Sequence, residues 1–523
     1  MGNLARHPAT RPRRVALFFG VAVALACAAG PAFGQACSSI PTFEAGLAPT
    51  RQLHVATTGS NATGTGSAAQ PYATIAFAAA RATPGTAVVV HAGTYAGGGF
   101  INALAGTAEA PIWIGGAPGE PRPVLNGGSN GLQFSRARYV IIHDLEVQGA
   151  TGNGLNLDDG GEVGNPGVAS FLVLRNLSVH DIGTGGNNDA LKLSGLYDFR
   201  VLDCALARAG GAASGSLIDM VGCHRGLIAR CDLREASANA VQAKGGTSDV
   251  EVRWCAMTEC GQRAVNIGGS TGLEFFRPPL STTQPNAETR NIRVVSNVIH
   301  GATAAVAFVG AVDCIAANNT IITPHNWVLR ILQETTSGGG YTFLPCGNNR
   351  FENNLVYFDR SDLSTYVNVG ANTAPATFTF AHNLWYAYDN PAQSAPNLPV
   401  PETGAVIGQD PGLADPVPPP AGNYRINPRG PAAGAGRAPA GAAGDLGGRC
   451  YRTPPSIGAH EACYPNCDQS AAPPALNIAD FSCFLQRFAG AEAYANCDRS
   501  ATPPVLNIHD FSCFLTQYAA GCP

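Results

Sequence analysis

Six polar side chains stand alone between apolar neighbours at one recurring place in the chain. They are Gln133 in NGLQFS, Asn156 in NGLNLDD, Lys192 in DALKLSG, Asp219 in SLIDMVG, Gln242 in NAVQAKGG and Asn266 in RAVNIGG. Two positions after them run Ser135, Asp158, Ser194, Val221, Lys244 and Gly268, and Arg263 opens the segment that carries Asn266. Amides, cations and a carboxylate in two files can grip a polar polymer, and a base beside a charge partner can move a proton on it. Side chains alternate across a strand. Leu191/Leu193, Ile218/Met220, Val241/Ala243 and Val265/Ile267 are therefore expected to point inward and the polar residues outward. Stacked strands would then space the polar groups about 4.8 Å apart.

The elements that must hold these groups follow from the same spacing. Lys192, Asp219, Gln242 and Asn266 are separated by 27, 23 and 24 residues, one solenoid coil per step. Each is followed by a second strand-like segment. RNLSV (Arg175), DCALA (Asp203), RCDLR (Arg230), RWCAM (Arg253), SNVIH (Ser296), NNTII (Asn318), NNLVY (Asn353) and HNLWY (His382) share an Asn or Cys at one place. Such residues are expected to stack at an inner turn, where an Asn amide bonds neighbouring backbone. Cys204, Cys231 and Cys255 read as stacked buried thiols, since free Cys packs as a small hydrophobe. Ahead of the array, Ala73 to Ala82 reads as a helix covering the open end of the solenoid. The expected fold is all-β, a right-handed parallel β-helix over residues 51–461 with an N-terminal capping helix. An α/β barrel would need repeated helices of about ten residues or more, and the pattern for them is absent.

Composition narrows the classes. Net charge is -4 and charged residues make up 13% of the chain, which excludes the basic stripe of a nucleic-acid binder. Arg11, Arg13 and Arg14, an apolar run from Val15, and Ala32-Phe33-Gly34 before Gln35 read as a signal peptide over residues 1–34. No other stretch could span a bilayer. The expected location is secreted or attached to a cell surface. Export makes disulfides plausible among the 16 cysteines, and loss of Cys27 with the leader leaves an odd number.

QAKGG followed one coil later by GQRAVNIGG resembles the polysaccharide lyases of the chondroitinase B and alginate lyase type. The resemblance implies a β-helix that cleaves a uronic-acid-containing polysaccharide by β-elimination. Lys244 would be the base and Arg263 the carboxylate partner or acid, with Lys192, Asp219, Gln242, Asn266, Asn156 and Asp158 holding substrate. A cation, or calcium at this site, neutralises the carboxylate first, and crowding by Arg263 or Lys192 would lower the pKa of the base. Ser237 and Asn239 stand near the place of that family's acidic calcium ligands. NNDALKLSG is similar to the Asp-bearing strand of polygalacturonases, which makes hydrolysis the alternative, with Asp158, Asp159 and Asp189 as its carboxylates. The remaining alternative is a non-catalytic glycan-binding surface protein. Cys223 beside His224 reads as a core thiol next to a turn residue, because strand neighbours face opposite ways.

The last sixty residues repeat with a period of 30: NCDQSAAPPALNIADFSCFLQRFA from Asn466 returns as NCDRSATPPVLNIHDFSCFLTQYA from Asn496. Asn466, Asp468, Ser470, Asn477 and Asp480 offer oxygens to a hard cation ahead of an amphipathic helix, as do Asn496, Asp498, Ser500, Asn507 and Asp510. This arrangement resembles the cysteine-containing dockerins and covers residues 463–523. It implies a small α-helical domain that binds calcium and docks into a cohesin-like or cell-surface partner. The loop is longer than the family's and lacks its glycine. Each copy also carries a loop and a helix cysteine, Cys467 with Cys483 and Cys497 with Cys513, which could form one disulfide per repeat, with Cys463 and Cys522 closing the ends. A disulfide-stapled hairpin without metal is the other reading.

Overall fold

Every coil in the middle of the chain contributes one short strand to each of three parallel sheets. One coil runs Ser170–Arg175, Ser178–Ile182 and Leu191–Ser194, and the next Tyr197–Leu202, Ala205–Ala209 and Ile218–Val221. The computed structural model describes residues 37 and 39–522 apart from 184, 212–213, 418–421, 440, 471–473, 499 and 501–502. The leader expected at residues 1–34 lies outside the described residues. The three sheets contain 13, 12 and 10 strands, and the pairing within them is parallel throughout. This is a parallel β-helix. Its interior is one apolar cluster that runs from Leu53 and Val55 to Phe380 and Trp385.

The sharp turn between the 13-stranded and 12-stranded sheets uses two residues per coil. The first is left-handed: Asn176, Asp203, Arg230, Trp254, Ser296, Asn318, Asn353 and His382 have φ between 51° and 58°. That conformation costs roughly 1 kcal/mol for a residue with a Cβ, so the surroundings must impose it. The second residue turns inward and stacks on its counterparts: Leu177, Cys204, Cys231, Cys255, Asn297, Asn319, Asn354 and Asn383, each at most 2% exposed. The expected Asn/Cys ladder is therefore present with one correction. In RNLSV the ladder residue is Leu177, because Ser178 pairs with Ala205 and so places Asn176 at the left-handed position.

The amide part of the ladder is continuous. Asn297 Nδ2 donates to Asn319 Oδ1 at 3.0 Å, Asn319 Nδ2 to Asn354 Oδ1 at 3.0 Å, and Asn354 Nδ2 to Asn383 Oδ1 at 3.0 Å. The backbone N–H of each of these three residues donates to the same oxygen as its own side-chain amide. Glu402 closes the stack, accepting from Asn383 Nδ2 at 2.7 Å and from Trp385 Nε1 at 2.9 Å.

The helix expected at Ala73 to Ala82 is the shorter α1, Ile75–Ala79, capped by Thr74. Its residues Ile75, Ala78 and Ala79 join the interior cluster. After the last coil the chain wraps back irregularly along the solenoid, and Cys37 is bonded to Cys450 in that wrap. The tail contains α2, Ile478–Ala489, and α3, Ile508–Ala520. Phe484 and Phe514 stack between them at 4.1 Å. Disulfides join Cys467 to Cys483, Cys497 to Cys513 and Cys463 to Cys522. Arg429 of the wrap donates to Asn496 O at 2.9 Å and lies over the Tyr464 ring. The cysteines left free among the described residues are all buried.

Replacing Asn354 by Ala would leave the backbone and side-chain donors of Asn319 without their acceptor in a dry interior. We expect a loss of about 2–4 kcal/mol, read as a lower melting temperature or denaturation midpoint.

Candidate active site

The ten-stranded sheet carries the polar files in register. Gln133 pairs with Asn156, Asn156 with Lys192, Lys192 with Asp219, Asp219 with Gln242 and Gln242 with Asn266. In the second file, Ser135, Asp158, Ser194, Val221 and Lys244 pair in the same order. The intervening residues, from Leu191 to Ile267, point into the core as alternation requires. Facing outward does not mean exposure, however: Asp219 is 0% exposed and Asn266 is 2% exposed.

The charges gather at Asp219. Lys192 Nζ donates to its Oδ2, and Lys244 Nζ lies 3.4 Å from the same oxygen. Asp189, which precedes the Lys192 strand, brings Oδ2 to 3.3 Å from Lys192 Nζ and accepts from Ser216 N through Oδ1 at 2.8 Å. Asp189 is fully buried, and burial first, then the neighbouring Asp219 charge, pushes its carboxyl up to about 6 against the pull of Lys192. Burial alone would lower Lys192, but Asp219 and Asp189 outweigh it and hold this lysine above its ordinary value. Lys192 thus keeps its proton. Lys244 has the looser contacts, Asp219 and Gln242 Oε1, each at 3.4 Å. Of the two cations expected beside Lys244, Lys192 is present, sharing the Asp219 carboxylate with it. Arg263 is engaged elsewhere, donating to Asn266 Oδ1 at 3.0 Å and to Glu334 Oε1 at 3.0 Å.

A cleft of about 290 Å³ opens over this cluster, with Asn187, Lys192, Lys244, Ser270, Thr271 and Phe275 in its lining. Its wall is the loop that follows Gly268. The loop is tied down by Arg277, whose Nε and Nη2 donate to the two oxygens of Asp159 at 2.8 and 2.9 Å in a buried pair. Glu288 braces it from below, accepting from Gly245 N at 3.0 Å and from Thr271 Oγ1. Burial raises the Glu288 carboxyl against those hydrogen bonds.

The structure groups the sequence-derived residues unevenly. Lys192, Asp219, Gln242 and Lys244 converge. Asn156 and Gln133 instead converge on Asp158, donating to its Oδ2 at 2.9 and 3.0 Å. Asp158 is thus bonded to two side-chain amides, and Asp159 is held in its buried pair with Arg277. Asp189, Glu288 and Glu334 stand outside the polar files. Asp189 carried a signal, an acid three residues before Lys192, whereas Arg277 reaches Asp159 across 118 residues of chain. Cys223 is buried, and His224 bonds Ser248 Oγ at 2.9 Å and Arg277 O at 3.1 Å, so the two form no nucleophilic pair.

Solved structures similar to this chain include pectate lyase Pel9A, at 17% identity and a TM-score of 0.45, over 81% of this chain and 99% of that one. Alginate lyase from Paenibacillus sp. str. FPU-7 is similar at 16% identity and a TM-score of 0.36, over 62% of this chain and 100% of that one. A rhamnogalacturonan lyase is similar at 15% identity and a TM-score of 0.36, over 67% and 90%. No protein-family model matches the sequence, and no curated protein matches it.

In the tail, Asn477 and Asn507 are helix N-caps. Their side chains accept from Ala479 N and His509 N, each at 2.8 Å, while Asp480 and Asp510 complete the capping boxes. Asp468 N donates to Asp480 Oδ1 at 3.4 Å and Asp498 N to Asp510 Oδ1 at 3.2 Å. Asn466 Nδ2 and Asn496 Nδ2 donate to Ser470 O and Ser500 O at 2.9 Å, and in both repeats the Asn Oδ1 is buried without a hydrogen-bond partner. Among the described residues, no group of three or more His, Cys, Asp and Glu is arranged to hold a metal.

Because the folded protein binds the Asp189 proton more tightly than the unfolded chain, this group's contribution to stability declines as pH rises from about 4 to about 6. Relative to Asp189→Asn, the wild type should lose melting temperature across that interval and hold a constant difference above it. A difference that stays flat from pH 4 upward would show that the carboxyl titrates in its ordinary range.

Proposed function

We propose that this chain is an exported polysaccharide-active protein that cleaves a uronic-acid-containing glycan by β-elimination. The observation that carries the reading is the convergence of Lys192 and Lys244 on one cleft above a shared buried carboxylate, Asp219. The substrate carboxylate lies against the Lys192 ammonium. The amine of Lys244 takes the proton from the carbon beside that carboxylate. The electron pair forms the new carbon–carbon double bond, the adjacent bond to the glycosidic oxygen breaks, and that oxygen takes a proton. Arg263 is a further cation of the face, one strand beyond Gln242 and held by Asn266 and Glu334. Calcium in the cleft is a further part of the lyase reading, and the acid nearest the two lysines is Asp219, which both already occupy.

The tail is proposed as a dockerin-like anchor with a cohesin-like or cell-surface partner, which places the protein outside the cell. Its residues fit a hard cation in one respect: the buried, unpartnered oxygens of Asn466 and Asn496 sit in equivalent loops, beside Asp468 and Asp498. Burial, with Asp468 adding to it, also raises the Asp480 carboxyl. With Asn477 and Asn507 used as caps, Asn466, Asp468, Ser470 and Asp480 would hold the ion, as would Asn496, Asp498, Ser500 and Asp510. The helix α1 is proposed as the cover of the solenoid's open end.

Incubation with polygalacturonate, alginate and chondroitin should give an unsaturated product that absorbs in the ultraviolet. Lys244→Ala should lower the rate by roughly 100-fold or more, the usual scale for loss of a general base. New reducing ends without that absorbance would instead indicate hydrolysis, and retained binding without either would indicate a glycan-binding protein. For the tail, chelation of calcium should lower the melting temperature by several degrees, and unchanged melting would favour the disulfide-stapled hairpin without metal.

A further inference from the structure

Two adjacent phenylalanines in the loop after Gly268 have opposite fates. Phe276 is 2% exposed and packs inward, whereas Phe275 is 52% exposed and lines the cleft that holds Lys192 and Lys244. An exposed aromatic ring on a mobile loop would be unremarkable, but this one is mounted on a fixed support. Phe275 ends a single helical turn, Leu273–Phe275. Its carbonyl accepts from Arg277 Nη1 at 2.7 Å, and the remaining guanidinium donors of Arg277 are spent on buried Asp159. At the other end of the turn, Thr271 is bonded to buried Glu288. The backbone that carries the ring is therefore gripped on both sides by buried polar groups. Gly272 leaves the ring its space, since a Cβ there would lie 3.0 Å from Phe275 Cδ2.

We propose that Phe275 is the stacking platform of a subsite for one acidic pyranose ring, with the sugar's apolar face on the phenyl ring and its carboxylate on the ammonium group of Lys192, beside the amine of Lys244. The inference rests on the proposed action on uronic-acid glycan and names the residue that positions the ring for it. The chemistry is complementary. A pyranose presents a sheet of C–H bonds on one face, which an exposed aromatic face removes from water. Its carboxylate lies in the plane of the ring, at the edge, where the lysines line the same cleft. Ser270 and Thr271 supply hydroxyls, and Asn187 an amide, to the sugar's own hydroxyls. A neutral sugar would gain the stacking alone and would leave the Lys192 ammonium unmatched.

The test uses the full chain and oligogalacturonates and oligoalginates of defined length, with neutral oligosaccharides of equal length for comparison. Phe275→Ala should raise KM, or the Kd measured by calorimetry, about tenfold, with little change in kcat and none in melting temperature. Phe275→Trp should restore binding, which loss of a merely structural contact would not allow. If Phe275→Ala binds and turns over oligouronates like the wild type, the platform assignment fails while the proposed function stands. If the wild type neither binds nor cleaves any oligouronate, the proposed function fails and this inference fails with it. Equal affinity for neutral and acidic oligosaccharides would overturn the role given to Lys192.

Discussion

The left-handed turn between the 13-stranded and 12-stranded sheets sets the position of everything else. Each turn places one residue with a positive φ before one inward residue, coil after coil. The inward residues then stack, so that every later strand starts in the same register as the one below it. Side chains have a period of two along a strand, and a slip of one residue would turn Lys192, Asp219 and Gln242 into the core. The cost of the left-handed residues is met by the contacts they make possible. Arg230 clasps Asp203 with two hydrogen bonds at 2.6 and 2.8 Å, and the inner amides bond to each other without a break from Asn297 to Asn383.

That ladder changes character along the solenoid. It passes from Leu177 through the thiols of Cys204, Cys231 and Cys255 to amides, and ends on a glutamate. The polar site lies over the coils whose ladder is apolar or thiol, from Leu191–Ser194 to Asn239–Lys244. An inner thiol makes weak hydrogen bonds, and all three of these sulfurs are buried, so they pack as small hydrophobes. The site's own order comes from above. The loop after Gly268 is held by Arg277 to Asp159, and Glu288 secures its base.

Within the site, buried charges of opposite sign are paired. Two buried carboxylates meet two lysines. The lysine that touches both acids is held protonated, and the other touches a single acid more loosely. Removing one member would strand a buried charge, which is costlier than the pair itself is favourable. In the tail, two helices that share only a small core are joined at three places by disulfides.

By itself the sequence determined the coil: alternation gave the inward and outward sets, the spacing of Lys192, Asp219, Gln242 and Asn266 gave the stacking order, and the repeated Asn and Cys residues marked the inner turn. These are local or periodic properties, so they can be read without knowing what lies across the fold. The 30-residue tail repeat and its cysteine pairs were legible for the same reason. Tertiary structure alone decided which outward residues are open and which are covered, because that depends on partners far along the chain. It sank Asp219 beneath two lysines, drew Arg263 to Glu334, spent Asp159 on Arg277 and turned Phe275 out while Phe276 turned in. It also gave Asn477 and Asn507 to helix caps, where each side-chain oxygen accepts a backbone N–H of the first turn.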